Sequence, residues 1–219
     1  MRVHMVFCVL AAAVACVLSL SAGPSAAADK PINIVALGDS LTAGAGLPAG
    51  DAFPAKLQRA LAAKGIVVAI SNAGVSGDTM SGGLARLDWS VPPGTDAVIL
   101  ELGANDALRG LDPAVTRRAL DRILGALAKR NIPVLLCGML APRNYGPEYA
   151  RTFDPMYPEL AKTYGAALYP FFLDGVAGDA KLNQPDGLHP TAAGVDVIVG
   201  KILPLVEELV ARVKAKRGP

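Results

Sequence analysis

The chain has 219 residues, of which 52% are hydrophobic and 18% are charged, and its formal net charge is +2. This near-balance, with no Lys/Arg-rich block in the body of the chain, argues against a nucleic-acid-binding protein, so we predict no nucleic-acid partner. The length beyond the N-terminal segment is typical of one domain with a sizeable core.

The N-terminal segment has the features of a secretory signal peptide. Arg2 supplies a positive charge, Val6 to Leu20 is almost wholly apolar, and Ser25 to Ala28 offers small residues for cleavage. The apolar run is short and rich in alanine for a membrane span. We therefore predict removal of residues 1–28 and a periplasmic or secreted protein, with an uncleaved anchor as the alternative.

The mature chain is predicted to be a single domain of residues 29–219 with one cysteine. Cys8 and Cys16 fall in the leader, where lipid modification of Cys16 is a second alternative to cleavage. Cys137 has no partner in the mature chain, even in an oxidising compartment, and we expect it to pack as a small hydrophobic residue.

Apolar runs of strand length alternate along the chain with segments of helical periodicity. Continuous apolar strands that alternate with helices are typical of a parallel sheet covered on both faces. The sequence therefore predicts a three-layer α/β/α fold with a mostly parallel, five-stranded sheet. The predicted strands are Ile32–Leu37, Ile66–Ile70, Ala97–Leu102, Pro133–Cys137 and Ala167–Tyr169. The predicted helices are Phe53–Ala63, Ser81–Leu87, Pro113–Lys129, Glu148–Tyr164 and Thr191–Lys214.

Two of these helices begin with recognisable capping residues. Asp112 precedes Pro113, as an N-cap precedes a first-turn proline, and Thr191 is placed to cap the final helix. The final helix carries six apolar residues on one side, which predicts that this side packs on the core: Val195, Ile198, Val199, Ile202, Val206 and Leu209.

Glycine with Asn or Asp follows three of the predicted strands. Gly38-Asp39-Ser40 follows the first strand, Asn72 to Asp78 the second, and Gly103 to Asp106 the third. Ligands of an open parallel sheet bind at the carboxyl ends of its strands. The first of these stretches has two interpretations: glycines that cradle a nucleotide phosphate, or a serine nucleophile at a strand-to-helix turn.

The glycines do not fit a nucleotide-binding motif. A dinucleotide site needs G-x-G-x-x-G, but the stretch Gly44 to Gly50 has one residue too many and contains Pro48. The second strand ends without the acid that binds a ribose, and there is no G-x-x-x-x-G-K-[ST] sequence. The pattern therefore favours the nucleophile.

The mature chain has the residues that a serine nucleophile needs. His189 is its sole imidazole, and Asp186 stands three residues before it, so both can serve Ser40 in the manner of a catalytic triad. Gly77 and Asn105 can donate hydrogen bonds to an oxyanion. Each residue has an ordinary alternative (a surface histidine, a turn glycine, a loop-ordering amide), but their coincidence at neighbouring strand ends favours catalysis.

In their order and spacing these residues resemble the SGNH, or GDSL-type, hydrolases. The four blocks of that family match as Gly38-Asp-Ser-Leu41, Gly77, Gly103-Ala-Asn-Asp106 and Asp186-x-x-His189. The resemblance covers Ile32 to Val210 and implies the flavodoxin-like fold of that family.

A closer likeness connects the chain with the bacterial periplasmic thioesterase, protease and lysophospholipase enzymes of this family and with related secreted arylesterases. The likeness implies that Ser40 is the nucleophile, His189 the base and Asp186 its orienting acid. The Ser40 and Gly77 N–H groups and the Asn105 amide would form the oxyanion hole. Ala104 departs from the glycine that close relatives often have. The stretches that carry this likeness are Gly38–Gly44, Ser76–Thr79, Gly83–Arg86, Glu101–Gly103, Leu108–Gly110, Asn144–Gly146 and Pro170–Phe172.

We therefore expect a serine ester hydrolase that acts through an acyl-enzyme on small-molecule acyl esters, thioesters or lysophospholipids. It is expected to be a monomer, without metal, organic cofactor or stable membrane insertion. Candidate walls of an acyl groove are Leu108, Leu111, Met139, Leu140 and Tyr145. The alternatives are a carbohydrate acetylesterase of the same fold and a non-catalytic lipid- or glycan-binding protein.

Overall fold

The computed structural model describes residues 30–218, which form a layered α/β domain around a parallel sheet. The strands lie in the order β2-β1-β3-β4-β5, and every neighbouring pair is parallel, which confirms the predicted fold class. The predicted leader and Cys16 lie outside the described residues. The strands are β1 (Ile32–Gly38), β2 (Val68–Gly74), β3 (Ala97–Glu101), β4 (Val134–Cys137) and β5 (Ala167–Tyr169).

Helices cover both faces of this sheet. They are α1 (Ser40–Ala43), α2 (Phe53–Ala63), α3 (Met80–Ala85), α4 (Leu87–Ser90), α5 (Ala104–Leu108), α6 (Pro113–Lys129), α7 (Gly146–Phe153), α8 (Met156–Tyr164) and α9 (Ala192–Arg217). Short 3₁₀ turns span Ala49–Asp51 and Arg143–Tyr145. From β1 the chain moves outward to β2, and then in the opposite direction from β3 to β5. Right-handed crossovers therefore put α2 on one face, where it packs against α9, and α6 and α8 on the other.

The second strand differs from its prediction. The apolar run from Ile66 to Ile70 suggested the strand, but β2 begins two residues later and continues through polar residues. Ile66 belongs to the turn after α2, where its N–H donates to Leu61 O at 3.0 Å. Parallel pairing then continues until Gly74 faces Gly38. β2 is an edge strand, so its exposed Ser71 and Asn72 remain hydrated.

Two predicted helices are each divided in the structure. The prediction over Ser81–Leu87 becomes α3 and α4, because Arg86 leaves helical geometry between them. The prediction over Glu148–Tyr164 becomes α7 and α8, which meet at Asp154 and Pro155. Proline has no N–H to continue a helix, and the Asp154 carboxylate accepts a hydrogen bond from Ala141 N at 2.8 Å.

The helices with clear capping residues match their predictions. α2 and α6 have the predicted bounds. Asp112 accepts from Ala114 N at 2.9 Å, and Thr191 accepts from Gly194 N at 3.2 Å. The six apolar residues predicted on one side of the final helix are all buried, as is the free Cys137.

The described chain begins and ends at the amino edge of the sheet. Lys30 leads directly into β1, and Arg217, at the end of α9, donates to Lys30 O at 3.0 Å. Arg217 also forms an ion pair with Asp96, just before β3, at 2.6 Å. Both ends are therefore held at the edge opposite to the carboxyl ends of the strands.

The carboxyl end of β1 packs so tightly that only glycine fits there. A Cβ atom placed on Gly38 would lie 2.1 Å from Thr42 Oγ1 and 2.6 Å from Glu101 O. The backbone carbonyl cannot swing away as a flexible side chain could. The close packing of β1, β3 and α1 therefore depends on this glycine.

We predict that Gly38→Ala lowers the free energy of unfolding by about 1–3 kcal/mol, because it overpacks this contact. Gly200→Ala is the matched control: Gly200 lies within α9, nothing stands within 4 Å of its added Cβ, and alanine favours the helix by about 0.5–1 kcal/mol. Urea denaturation of both variants measures the difference. Equal stabilities of the two variants would contradict the packing argument.

Candidate active site

Three side chains form a hydrogen-bonded chain at the carboxyl edge of the sheet. Ser40 is the first residue of α1, and His189 lies in the turn that precedes α9. The His189 Nε2 atom lies 2.9 Å from Ser40 Oγ, and the Nδ1 atom lies 2.6 Å from Asp186 Oδ2. Local sequence brings Asp186 and His189 together, whereas the fold brings Ser40 to them.

The turn itself fixes the Asp186 carboxylate. Its Oδ1 atom accepts from the backbone N–H groups of Leu188 at 2.9 Å and His189 at 3.0 Å. The hydrogen bond from the His189 ring, followed by these backbone bonds, lowers the pKa of Asp186 below its usual value. An ionised carboxylate at Nδ1 requires a proton on that nitrogen, which leaves Nε2 of the neutral ring as the acceptor for the Ser40 hydroxyl.

Gly77 and Asn105 lie on the two loops next to Ser40. Gly77 has a φ of +81°, a conformation that side-chain-bearing residues rarely adopt, in the turn after β2. Asn105 lies in the first turn of α5, and its Nδ2 atom donates to Asp39 Oδ2 at 3.1 Å and to Asp78 O at 2.9 Å. Ser40, Gly77, Asn105 and His189 all line one cavity.

This cavity is mainly apolar and has a volume of about 370 Å³. Of the side chains predicted to form an acyl groove, Leu108, Met139 and Leu140 line it. Leu111 and Tyr145 are not among the described residues that do so. The Tyr145 hydroxyl donates to Leu108 O at 2.9 Å, so Tyr145 supports the wall from outside, while Leu111 O accepts from Tyr149 Oη at 2.9 Å.

Sequence reasoning missed several apolar residues of the cavity wall, among them Leu188 and Phe171. Leu188 stands between Asp186 and His189 and is 46% exposed, so it lies at the rim. Phe171 follows the end of β5. The rule that ligand contacts follow strand ends could have identified Phe171, and the position of Leu188 within the Asp-x-x-His turn could have identified that residue.

The buried Arg86 side chain connects the loops that carry the site. Its guanidinium donates to Gly38 O and to Ala73 O, both at 2.8 Å, and to Asp78 Oδ2 at 2.7 Å. These acceptors lie at the end of β1, near the end of β2 and in the loop that holds Gly77. Arg86 therefore fixes the two loops relative to each other.

Two buried carboxyl groups lie beneath Ser40. Asp39 and Glu101 are both fully buried, and Glu101 Oε2 accepts from Thr42 Oγ1 at 2.7 Å. The other oxygen, Oε1, has no hydrogen-bond partner among the described residues. Burial, with the charge of Asp39 as a second cause, raises the pKa of Glu101 well above its usual value. Glu101 is therefore neutral where most glutamates are ionised.

Comparison with known proteins identifies the family of this chain. Residues 36–197 match the model of the GDSL-like lipase/acylhydrolase family, a stretch that contains Ser40, Gly77, Asn105, Asp186 and His189. The chain belongs to this family. It is a carboxylic ester hydrolase, as the sequence predicted.

Three relatives illustrate the similarity of the chain to this family. The esterase TesA of Pseudomonas aeruginosa is 38% identical over 178 residues, which cover 81% of this chain and 89% of that protein. Thioesterase 1/protease 1/lysophospholipase L1 of Escherichia coli K12 is 41% identical over 167 residues, which cover 76% and 77% of the two chains. The solved structure of AlinE4, an SGNH-hydrolase family esterase, is 48% identical, with a TM-score of 0.70 over 82% of this chain and 96% of its own.

Two further observations concern metals and membranes. Within residues 30–218, no cluster of three His, Cys, Asp or Glu side chains could hold a metal ion. No helix in this part of the GDSL-like hydrolase combines the length and apolar character that crossing a membrane requires.

We predict that Glu101→Gln makes the stability of the protein less dependent on pH. Because the pKa of Glu101 is raised, the folded wild type keeps a proton that the unfolded chain releases above its ordinary pKa of 4.5. The contribution of Glu101 to wild-type stability therefore falls as the pH rises, by up to about 1.4 kcal/mol per pH unit. Glutamine does not ionise, so the variant lacks this dependence.

Urea denaturation at pH 4.5 and pH 8 measures this effect. The stability of the Gln variant relative to wild type is expected to increase at the higher pH. The exposed Glu208→Gln on α9 is the matched control, because it makes the same chemical change at a solvent-exposed position. A stability difference between Glu101→Gln and wild type that stays constant with pH would contradict a neutral Glu101.

Proposed function

We propose that this hydrolase works through an acyl-enzyme formed on Ser40, with His189 as general base and Asp186 as the acid that orients it. The observation that supports the proposal is the hydrogen-bonded chain from Asp186 through His189 to Ser40, which ends at the wall of an apolar cavity. Such an arrangement lets the imidazole take the hydroxyl proton while the carboxylate stabilises the imidazolium.

The reaction would then proceed in two halves. Ser40 Oγ attacks the ester or thioester carbonyl and His189 Nε2 accepts its proton. The imidazolium next returns that proton to the leaving alcohol or thiol, which departs and leaves an acyl ester on Ser40. A water molecule, deprotonated by the same imidazole, releases the acid and restores the serine.

The negative oxygen of each tetrahedral intermediate needs donors. The backbone N–H groups of Ser40 and Gly77 and the Asn105 amide are the groups we assign to this role, because all three residues line the cavity. One such donor is typically worth about 10²- to 10³-fold in kcat.

The cavity wall supports acyl esters, thioesters and lysophospholipids as the substrate class. Leu108, Met139 and Phe171 offer an apolar surface to an acyl chain, and burial of each CH₂ contributes about 0.8 kcal/mol. The names of the relatives point the same way, because they include an esterase and a thioesterase/lysophospholipase. An acyl chain in the cavity leaves the leaving group directed toward solvent.

Two alternatives have less support. A carbohydrate acetylesterase would need polar sugar contacts beside the serine, but the cavity wall is mainly apolar, and Trp89, 74% exposed on α4, is not among the described residues that line it. A non-catalytic lipid- or glycan-binding protein would not need the geometry of Ser40, His189 and Asp186.

Our proposals for the cellular location and the oligomeric state of the protein rest on its sequence and on the residues assigned to the site. We propose a periplasmic or secreted enzyme from the signal-like character of residues 1–28, with residues 29–219 as the mature domain. We also propose that it acts as a monomer, because one chain supplies every residue assigned to the site.

We predict that Ser40→Ala abolishes hydrolysis of p-nitrophenyl hexanoate, with a loss of at least about 10⁴-fold in kcat, because the acyl-enzyme cannot form. Wild type should also lose its activity after stoichiometric labelling with a fluorophosphonate, detected by intact mass. Substantial activity in the Ala variant would exclude Ser40 as the nucleophile.

We predict that Leu108→Asn shifts the enzyme toward short acyl chains. Leu108 is 45% exposed at the rim, and a polar side chain there weakens contact with long chains but leaves the serine untouched. The kcat/KM for p-nitrophenyl decanoate should fall about 5- to 30-fold relative to that for the acetate, as about 1–2 kcal/mol of lost apolar contact implies. Val115→Asn, at an exposed apolar position on α6, is the control. Parallel losses on both esters would contradict an acyl groove at Leu108.

A further inference from the structure

The Asp39 side chain connects the turn that carries Ser40 to Asn105, one of the donors assigned to the oxyanion hole. Asp39 immediately precedes Ser40 in the chain, and its side chain is fully buried. Its Oδ1 atom accepts from Leu41 N at 3.0 Å, which caps α1, and its Oδ2 atom accepts from Asn105 Nδ2 at 3.1 Å. One carboxylate therefore holds both the helix turn that carries Ser40 and the amide of Asn105.

The Asn105 amide is held by two acceptors of different origin. One is the Asp39 carboxylate on the β1–α1 turn, and the other is the Asp78 carbonyl on the loop of Gly77, at 2.9 Å. With both in place, both hydrogens of the NH₂ group are occupied, so an oxyanion has to take the hydrogen that Asp78 O holds while Asp39 keeps the NH₂ end in position. Without Asp39 Oδ2, the amide is free to turn its oxygen toward the cavity, where it would repel an oxyanion.

We propose that Asp39 is a positioning residue of the oxyanion hole, which acts through Asn105 and the first turn of α1 without touching the substrate. The inference rests on the function proposed above. Asp39 is not among the described residues that line the cavity, so its effect on catalysis has to pass through residues that do.

The positioning role requires the ionised form of Asp39. Two N–H donors need two acceptor oxygens, and a protonated carboxyl group turns one of its oxygens into a donor. Burial raises the pKa of Asp39 to about 6 from 3.8, and the nearby Asp78 also raises it, whereas the bonds from Leu41 and Asn105 and the charge of His189 lower it. Two further titratable groups lie near Asp39: the Glu101 carboxyl group, whose Oε2 lies 3.5 Å from Asp39 N and accepts from Thr42 Oγ1, and the buried Tyr157, whose hydroxyl donates to Leu102 O. The pKa of Asp39 therefore lies well above the range in which most aspartates take up a proton.

Asp39→Asn is the direct test, because asparagine keeps the shape but offers one acceptor and one donor. The donor has to face either Leu41 N–H or the Asn105 amide, so one of the two contacts is lost. We expect kcat for p-nitrophenyl hexanoate to fall about 10- to 100-fold, less than the loss of a whole oxyanion donor, with KM changed less than about threefold. Each kcat is expressed per site labelled by fluorophosphonate at the end point, so that inactive protein does not count.

The pH profile separates positioning from a merely structural role. In wild type, protonation of Asp39 reduces activity on the acid side. The acid limb of log kcat/KM between pH 4 and pH 7 should therefore be steeper in wild type than in Asp39→Asn, which has no carboxyl group to protonate at this position. A change that only loosened the fold would lower activity at every pH and leave this slope unaltered.

Asp112→Asn is the matched control, because Asp112 caps α6 through the same contact, a carboxylate that accepts from the N–H two residues on. We expect it to keep kcat within about twofold of wild type, because asparagine caps a helix about as well as aspartate does. The proposal would be overturned if kcat per labelled site in Asp39→Asn stayed within twofold of wild type, or if the slope of the acid limb did not change.

The Ser40→Ala variant separates this proposal from the proposed function. If Ser40→Ala remained active, the proposed function itself would fail. If Ser40→Ala were inactive while Asp39→Asn was fully active, only the positioning role would be refuted.

Discussion

The parallel register of β1 between β2 and β3 determines where the functional groups of this enzyme lie. Gly38 faces Gly74 on one side and Glu101 on the other, so the three strands end at the same level. The loops that follow start side by side, and each supplies one group to the site within a few residues. Because backbone hydrogen bonds set this register, the spacing of Ser40, Gly77 and Asn105 is a property of the sheet before any side chain contributes.

The site combines acids with opposite electrostatic environments. Asp186 lies in an exposed turn, where hydrogen bonds from His189 and the backbone stabilise its charge. Asp39 and Glu101 lie in the core, where burial disfavours charge, and one Glu101 oxygen has no hydrogen-bond partner among residues 30–218. Burial of such groups costs stability unless they are hydrogen-bonded. Beneath the serine, the two carboxyl groups hold Leu41 N, the Asn105 amide and the Thr42 hydroxyl.

The sequence predicted most of the fold, and it indicated the candidate site, for identifiable reasons. α2 and α6 were predictable because periodicity, proline and capping residues agree at their ends. The proximity of Ser40, Asp186 and His189 was predictable because His189 is the one histidine after the signal-like segment and Asp186 is three residues from it. β2 was misplaced, since the polar residues of an edge strand carry no apolar signal. Leu111 and Tyr145 were assigned to the groove from proximity in sequence, which does not say on which side of a loop a residue lies. The contact of Asp39 with Asn105 spans two strand ends and has no local signature at all.

The place where the described part of the chain begins and ends has a practical consequence. Lys30 and Arg217 meet at the amino edge of the sheet, with the full length of the strands between them and the cavity. A tether at either end, whether a fusion partner, a solid support or a retained leader, is attached on the side of the molecule away from the catalytic cleft. Immobilisation through the termini would thus orient the enzyme with its cavity open to the bulk solution. A linker that joins Arg217 to Lys30 would be short, because the two residues are in contact. This proximity makes the fold a good candidate for circular permutation.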